Sequence, residues 1–282
     1  MTDSTQRIDV SRHITTILTL KDPWEDSAKT IESYAHLPDP IGQVLQDYAN
    51  NVRFVGLHYS YPLRIYVNWM GGRIKDLLPT ITPEQAVQDF STHVERFIEE
   101  RSKGEMKSAA YAHAVSMYVH IWAIYEVFLR RFTREVLNLY PALLSSPVNS
   151  EIEKLIEKAS RKLGITGTSV EGVQTPRLGD ILVTERTVHA DLRDLVLSLD
   201  RIGGAKEVQE AFSDPWLLRL EKRRHVVTHK AGVVDEKYVR ETGECSPGAA
   251  LPVSPFDTFS CYKATHSVAF QLAAELLGRL GL

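Results

Sequence analysis

An arginine and a histidine five positions apart, Arg224 and His229, are the residues of this sequence whose types and spacing are best suited to chemistry. A histidine can transfer a proton near neutral pH. The planar guanidinium of an arginine can hold a phosphate group with two parallel hydrogen bonds. A second histidine, His225, follows the arginine directly. Together these side chains predict a site that cuts RNA without a metal ion.

A helix is predicted to carry these residues near its end. Asp214 is a suitable N-cap and Pro215 a suitable first helical residue, and Gly232 is typical of the point where a helix ends. On an ideal helix Arg224 and His229 project about 140° apart. One copy of the motif therefore does not aim both side chains at a single phosphate, whereas two copies that face each other could.

Helical periodicity of apolar residues and helix-capping residues dominate the chain from residue 82 onward. Besides the motif helix, the predicted helices span about 82–103, 106–139, 151–163, 185–199, 206–212 and 256–280. Loops are predicted at 164–181 and 241–255, where Gly, Pro, Ser and Thr are frequent. A short extended or turn segment is predicted at 233–240.

The first 80 residues have a weaker pattern. Residues 45–51 are predicted as part of a helix, 52–55 as a short strand, and 63–69 show partial alternation of apolar and polar residues. We therefore expect a mixed N-terminal region of uncertain structure at 1–80. A mainly α domain, a helical bundle, is expected at 81–282.

Composition limits the kind of protein this can be. The 282 residues are 43% hydrophobic and 24% charged, which is ordinary for a globular protein. The net charge of −3 provides no overall basic field, which argues against a strong duplex binder but permits an enzyme that engages a few phosphates. Two cysteines, no apolar leader and no apolar run of about 18 residues lead us to expect a cytoplasmic protein without a membrane span.

The order of these features resembles the HEPN superfamily of helical bundles. The long helix before the motif carries Trp122, Tyr125, Glu126, Phe128, Leu129 and Arg131. The motif helix then ends in Arg224 and His229, and a final amphipathic helix follows. Nuclease members of the superfamily carry an Arg, a polar residue, three further residues and a His, and many continue as Gly232 and Asp235 do here. The resemblance covers about 105–282 and implies a HEPN-like helical bundle.

The resemblance implies a role for each motif residue. Arg224 would bind and polarise the scissile phosphate, and His229 would act as general base or acid in attack by the ribose 2′-hydroxyl. His225 would orient the arginine or the phosphate. The products would carry 2′,3′-cyclic phosphate and 5′-hydroxyl ends.

The same resemblance implies partners. Nucleases of the superfamily usually build the cleft from two motifs across a dimer, so an RNA substrate and a homodimer are expected, with a possible regulatory partner protein in bacterial defence or stress. Leu272, Leu276 and Leu280 of the last helix offer an apolar seam for that dimer, unless the bundle core uses them. Walker, dinucleotide-binding, Gly-x-Ser-x-Gly and kinase patterns are missing from the sequence, so no cofactor is predicted.

Other interpretations of the motif stay open. Its charged residues are also typical of a solvated helix face, and histidines are favourable near a helix C-terminus. Some HEPN relatives are inactive and serve as dimerisation, partner-binding or nucleotide-sensing modules. His225 and His229 have the i,i+4 spacing of a zinc pair, but Val226 stands where the zincin motif needs Glu, and no third ligand is near in sequence. No metal site is predicted.

Three further residues are candidates for supporting the motif. Arg223 is the adjacent cation. Glu126 interrupts an apolar stripe, and is either a buried acid with hydrogen-bond partners or a cleft residue that orients the motif arginine or histidine. Tyr238 could stack on a base or pack in the core. Asp235 is expected to cap the turn that follows the motif.

Overall fold

A computed structural model of the protein describes residues 23–58, 92, 96, 104–144, 154, 178–185, 189–199, 202–253 and 255–281. Within these residues the protein is mainly α-helical, which confirms the predicted class. No strand occurs in this part of the chain. Two isolated β-bridges, Leu144 with Leu199 and Val233 with Ala250, are its only β contacts.

The described helices differ widely in length. They are α1 (Pro23–Glu32), α2 (41–58), α3 (Gly104–Leu139), α4 (Leu178–Glu185), α5 (His189–Leu197), α6 (Lys206–Phe212), α7 (Pro215–His229), α8 (Glu236–Thr242) and α9 (Pro255–Leu280). The long helix before the motif, the two turns at α6, the motif helix and the last helix are thereby confirmed. The predicted end of the long helix at Tyr140 and Pro141 is confirmed too, because a 3-10 turn begins there.

Two long helices, α3 and α9, form the centre of the bundle. They pack against each other, and α7 packs against both. The contacting faces are apolar at helical spacing: Tyr118, Tyr125 and Phe132 of α3 and Val268 and Leu272 of α9 are fully buried. Burial of each such side chain stabilises the fold by roughly 1.5–3 kcal/mol. Leu217, Leu220 and Val226 of α7 are buried in the same core, which holds the motif helix against the bundle.

The strand predicted at 52–55 is wrong, whereas the helix predicted at 45–51 is confirmed, since both segments lie within α2. Valines at 52 and 55 favoured a strand by propensity. In the fold, Val52 and Val55 continue a buried stripe with Leu45 and Ala49 at helical spacing. Burial of that stripe outweighs the weaker preference of valine for strands.

The end of the predicted loop at 164–181 is wrong, because α4 begins at Leu178. The side-chain oxygen of Asn138 accepts hydrogen bonds from the backbone N–H groups of Gly179 and Asp180, at 2.8 and 3.3 Å. This cap comes from α3, 41 and 42 residues earlier in the chain. Local composition therefore could not predict the helix start.

The extended segment predicted at 233–240 is wrong from residue 236, where α8 begins. Asp235 is the N-cap of α8, and its carboxylate accepts a hydrogen bond from the Tyr238 N–H at 2.8 Å. The expected capping role of Asp235 is thus confirmed, although what it caps is a helix of two turns.

Several predictions lie wholly or largely outside the described residues. These are the helices at 82–103 and 151–163, the alternating segment at 63–69, and the loop before residue 178. Residues 92, 96 and 154 are described, and each is helical. The helix predicted at 185–199 is confirmed at 189–197, where α5 lies, but Glu185 ends α4 and Leu199 lies in a β-bridge. In the described part of the chain, no helix is both long and apolar enough to cross a membrane.

Candidate functional site

The motif helix α7 begins as its sequence predicts. Asp214 accepts a hydrogen bond from the backbone N–H of Trp216 at 2.7 Å, and Pro215 occupies the first helical position. The carboxylate therefore satisfies an N–H that has no partner inside the helix. The helix is fifteen residues long and ends at His229, so the motif occupies its last two turns.

The chain turns sharply directly after His229. The backbone N–H groups of Lys230 and Gly232 both donate to the carbonyl oxygen of Val226, at 2.9 and 3.1 Å. This turn needs left-handed backbone at two successive residues, Ala231 with φ of +50° and Gly232 with φ of +77°. Because the turn is closed by these hydrogen bonds, His229 is held at the exposed end of α7.

Arg224 points toward α3 and lies over an aromatic ring. Its guanidinium carbon is 5.2 Å from the centroid of Trp122, and its buried Nε has no hydrogen-bond acceptor among the described residues. No ion pair joins Arg224 to a carboxylate among the described residues. Its charge is therefore held by a ring face and is not neutralised by a described acid.

The two histidines form a pair on the exposed face of α7. The ring centroids of His225 and His229 are 4.9 Å apart, with the planes inclined by 48°. Although His225 is exposed, desolvation of its ring, and then electrostatic repulsion from His229, lower its pKa. This shift favours the neutral form of His225, in which one ring nitrogen can accept a hydrogen bond.

The structure therefore splits the motif between two directions. Arg224 faces α3, whereas His225 and His229 are exposed. The split agrees with the angle of about 140° expected between positions five apart on a helix. A single chain holds the phosphate-binding and proton-transferring groups, but does not converge them on one point.

Arg223 is buried, with 6% of its surface exposed. Its Nη2 donates to Glu244 at 3.1 Å, and its Nη1 donates to the carbonyl oxygen of Pro252 at 3.1 Å and pairs with Asp257 at 3.4 Å. Burial acts to lower its pKa, but these acids and nearby tyrosines outweigh burial and raise it. Arg223 thus ties α7 to the loop before α9 and to α9 itself, and a ligand at the surface does not reach it.

Tyr238 is also buried, at 3% exposure. Its hydroxyl donates to Glu244 at 2.6 Å, and burial together with that hydrogen bond raises its pKa to about 12. Of the two interpretations of Tyr238, the one that places it in the core agrees with its position. Stacking on an RNA base would require the ring to leave the core.

Within the described residues, Glu126 contacts the motif only through Trp122. It accepts a hydrogen bond from the indole N–H of Trp122 at 2.8 Å and pairs with Arg130 at 3.4 Å. Its link to Arg224 therefore runs through the Trp122 ring. Sequence reasoning missed this contact of Trp122, although a Glu four residues after a Trp on a helix places an acceptor beside the indole.

Lysines around the motif are paired with acids. Lys222 contacts Glu241 at 2.7 Å, Lys237 contacts Glu241 at 3.9 Å, and Lys230 contacts Asp235 at 3.9 Å. These pairs are exposed and individually weak, but they leave little net positive charge on this surface. Arg224 is therefore the cation best placed to meet an anion here.

Groups of three or more His, Cys, Asp or Glu residues that could hold a metal ion do not occur in the described part of the chain. Comparisons with protein families, curated proteins and solved structures find no match to this chain. Support for a function therefore comes from the placement of Arg224, His225 and His229 themselves.

Proposed function

We propose that the protein is an endoribonuclease whose reaction is carried by Arg224, His225 and His229, as the HEPN resemblance implies. The supporting observation is the environment of Arg224. Its guanidinium lies on the Trp122 ring without a carboxylate partner in the described residues, one residue from a pair of exposed imidazoles. Arg223 has its charge neutralised by Glu244 and Asp257, whereas Arg224 keeps its charge for a phosphate group.

The proposed reaction is an internal transesterification. A neutral His229 takes the proton of a ribose 2′-hydroxyl, and the 2′-oxygen attacks the adjacent phosphorus. The bond from phosphorus to the 5′-oxygen breaks, and that oxygen takes a proton from a second, protonated imidazole. No water is consumed, and the RNA ends as a 2′,3′-cyclic phosphate and a 5′-hydroxyl.

Arg224 would stabilise the charge that develops during this step. Its guanidinium would donate to the non-bridging phosphate oxygens, where negative charge grows in the transition state. Neutral His225 would accept a hydrogen bond that orients the substrate or the arginine. Charge stabilisation and proton transfer are both assigned to side chains, so activity is expected to persist in a chelator.

A homodimer is part of the proposal, because the motif does not converge within one chain. The apolar seam predicted on the last helix is wrong for this purpose: Leu272 and Leu276 are fully buried within the bundle. The exposed face of α7 instead presents Leu218, which is 38% exposed, in line with His225 and His229 at spacings of seven and four. Two such faces related by a two-fold axis would place two histidine pairs together.

A role in bacterial defence or stress and a regulatory partner protein rest on the resemblance alone. The proposed cytoplasmic location rests on the low cysteine count and on the lack of an apolar leader. A second candidate function is an inactive HEPN-like bundle that dimerises, binds a partner or senses a nucleotide. The acid-paired lysines around the motif favour this second candidate, because they leave few cations to attract RNA.

The test is to incubate the purified protein with mixed RNAs in excess chelator and to identify the ends formed. The proposal expects cleavage with 2′,3′-cyclic phosphate and 5′-hydroxyl ends. Cleavage that disappears in chelator and returns with a divalent ion would assign the reaction to a metal-dependent class. Intact RNA, together with a stable dimer in solution, would favour the inactive bundle.

A further inference from the structure

We propose that Trp122 is a positioning residue that holds Arg224 for its phosphate, and that Glu126 fixes the Trp122 ring. This inference rests on the proposed function, since it concerns how the motif arginine is aimed. Its basis is a chain of two contacts. Arg224 lies 5.2 Å from the Trp122 ring centroid, and the Trp122 indole N–H donates to Glu126 at 2.8 Å.

The Trp122 ring is fixed on several sides. Only 2% of the residue is exposed, and its ring packs edge-on against Tyr125, with centroids 5.8 Å apart. The hydrogen bond to Glu126 prevents the indole from turning over without losing a partner for its N–H group. The ring therefore offers a fixed face in a fixed direction on α3.

This face limits the positions that Arg224 can adopt. An arginine stem is flexible and loses rotamer freedom when it binds a ligand. Stacking on Trp122 removes part of that freedom before the ligand arrives. Because Nε is buried, the two Nη groups are the donors that can face a phosphate.

An aromatic partner also preserves the charge of the arginine. Arg223, the adjacent residue, contacts Glu244 and Asp257, which neutralise it. A ring face attracts the guanidinium through its quadrupole and adds no negative charge to the site. The Trp122 contact can thus hold Arg224 in place and leave its full charge to a phosphodiester.

Chemical rescue distinguishes positioning from general stability. In the Arg224→Gly variant, cleavage of mixed RNA should fall by about 10²-fold or more, and free guanidinium ion should restore part of it when the Trp122 face is intact. In the double variant Arg224→Gly, Trp122→Leu, guanidinium should restore nothing. Trp122→Leu alone should lower kcat by roughly tenfold or more with a smaller change in KM, since misplaced groups slow the chemical step.

A matched control is available on α7. Trp216 also stacks on an arginine, with the guanidinium carbon of Arg219 at 4.6 Å from its ring, at the opposite end of the helix from the motif. Trp216→Leu should leave kcat and the guanidinium rescue of Arg224→Gly unchanged. If Trp122→Leu does not fold, Glu126 carries the test: Glu126→Gln keeps an acceptor for the indole and should retain kcat, whereas Glu126→Leu should lower it several-fold.

Failure of this inference can be told from failure of the proposed function. If Arg224→Gly cleaves RNA as wild type does, both fail. If Arg224→Gly is inactive but guanidinium restores the double variant as well as the single one, or Glu126→Leu retains full kcat in a folded protein, the positioning role of Trp122 is overturned. The assignment of Arg224 would then still stand.

Discussion

The adjacent arginines of α7 differ in their partners: one contacts acids and the other an aromatic ring. This difference decides whether each can bind an anion. Arg223 is surrounded by Glu244, Asp257 and a backbone carbonyl, whereas Arg224 meets the Trp122 ring. Neighbours on a helix point about 100° apart, so one faces the core and the other its edge. Arg223 thus supports the fold, and Arg224 has charge to offer a ligand.

Replacement of Arg223 with Ala should destabilise the protein by about 3 kcal/mol, because it leaves two partly buried carboxylates without their cation. Urea unfolding followed by circular dichroism measures this. Lys222→Ala is the control: its pair with Glu241 is exposed and should contribute less than about 1 kcal/mol. Equal midpoints for Arg223→Ala and wild type would mean that the buried network does not support α7.

The sequence predicts that an arginine and a histidine of this helix could bind and cleave RNA. It does not show which of the two adjacent arginines is neutralised by acids. The acids that neutralise Arg223 lie 21 and 34 residues later, in a loop and at the start of α9. Tyr238 was equally undecided, since its burial depends on Glu244 in that same loop. Only the three-dimensional fold brings these groups together.

At the scale of elements, the turn after α7 determines where His229 is held. Gly232→Ala should cost about 1–2 kcal/mol, because an L side chain is strained at its φ of +77°. The neighbouring substitution Ala231→Gly is the matched control: it relieves a similar strain at φ of +50° and should leave stability unchanged or slightly higher. Thermal melts of both variants test this, and a more stable Gly232→Ala would contradict the described turn.

The interface of α2 with α9 should be sensitive to acid through His266. This residue packs between Tyr48 and Tyr262, and burial lowers its pKa to about 4. An unfolded histidine has a pKa of about 6.5, so the unfolded state binds the proton first as pH falls. Stability is fully present above that value and should fall by about 3 kcal/mol between pH 6.5 and 4.

The His266→Phe variant tests this pH dependence. It keeps a ring between the two tyrosines but cannot be protonated. The difference in unfolding free energy between wild type and variant should therefore change by about 3 kcal/mol over this pH window, and carboxylates common to both proteins cancel. His36→Phe, at an exposed position, is the control. A difference that stays constant with pH would show that His266 is not buried as described.

Helices were predicted best where the residues that begin and end them lie next to them in sequence. Asp214 with Pro215 and the glycine after the motif mark α7 within one segment of sequence. The errors occur where a distant partner decides. Residues 52–55 are helical because α2 buries a stripe against its neighbours, and α4 begins where Asn138 of α3 caps it.

In the molecule as a whole, most apolar residues of the described helices are buried in the core of the bundle. Two of the three residues that the sequence offered as a dimer seam, Leu272 and Leu276, are fully buried in the core, and Leu280 is partly buried against it. The exposed face of α7, with Leu218 and the histidine pair, is the exposed apolar surface that includes the motif, whereas Phe54, Leu57 and Val127 are exposed elsewhere on the described helices. A dimer through this face would bring four imidazoles together. The proposed reaction needs one of them to be protonated, and a bound phosphate would stabilise that positive charge.

We therefore expect a homodimer in solution at tens of micromolar that becomes tighter with RNA or sulfate. Sedimentation equilibrium measures the dissociation constant in both conditions. Leu218→Glu should weaken the dimer, whereas the same change at Val127, an apolar residue on α3 that is more exposed (50% against 38%), should not. A strictly monomeric protein with and without RNA would reject the composite site and favour the inactive bundle.

The proposed role of His229 in RNA cleavage is tested by single-turnover cleavage of mixed RNA in chelator, with wild type, His229→Ala and the exposed-histidine control His36→Ala. We predict that His229→Ala is slower by about 10²-fold or more, the scale of a lost general acid or base, while both variants fold and His36→Ala cleaves as wild type does. Equal cleavage by wild type and His229→Ala would contradict the claim.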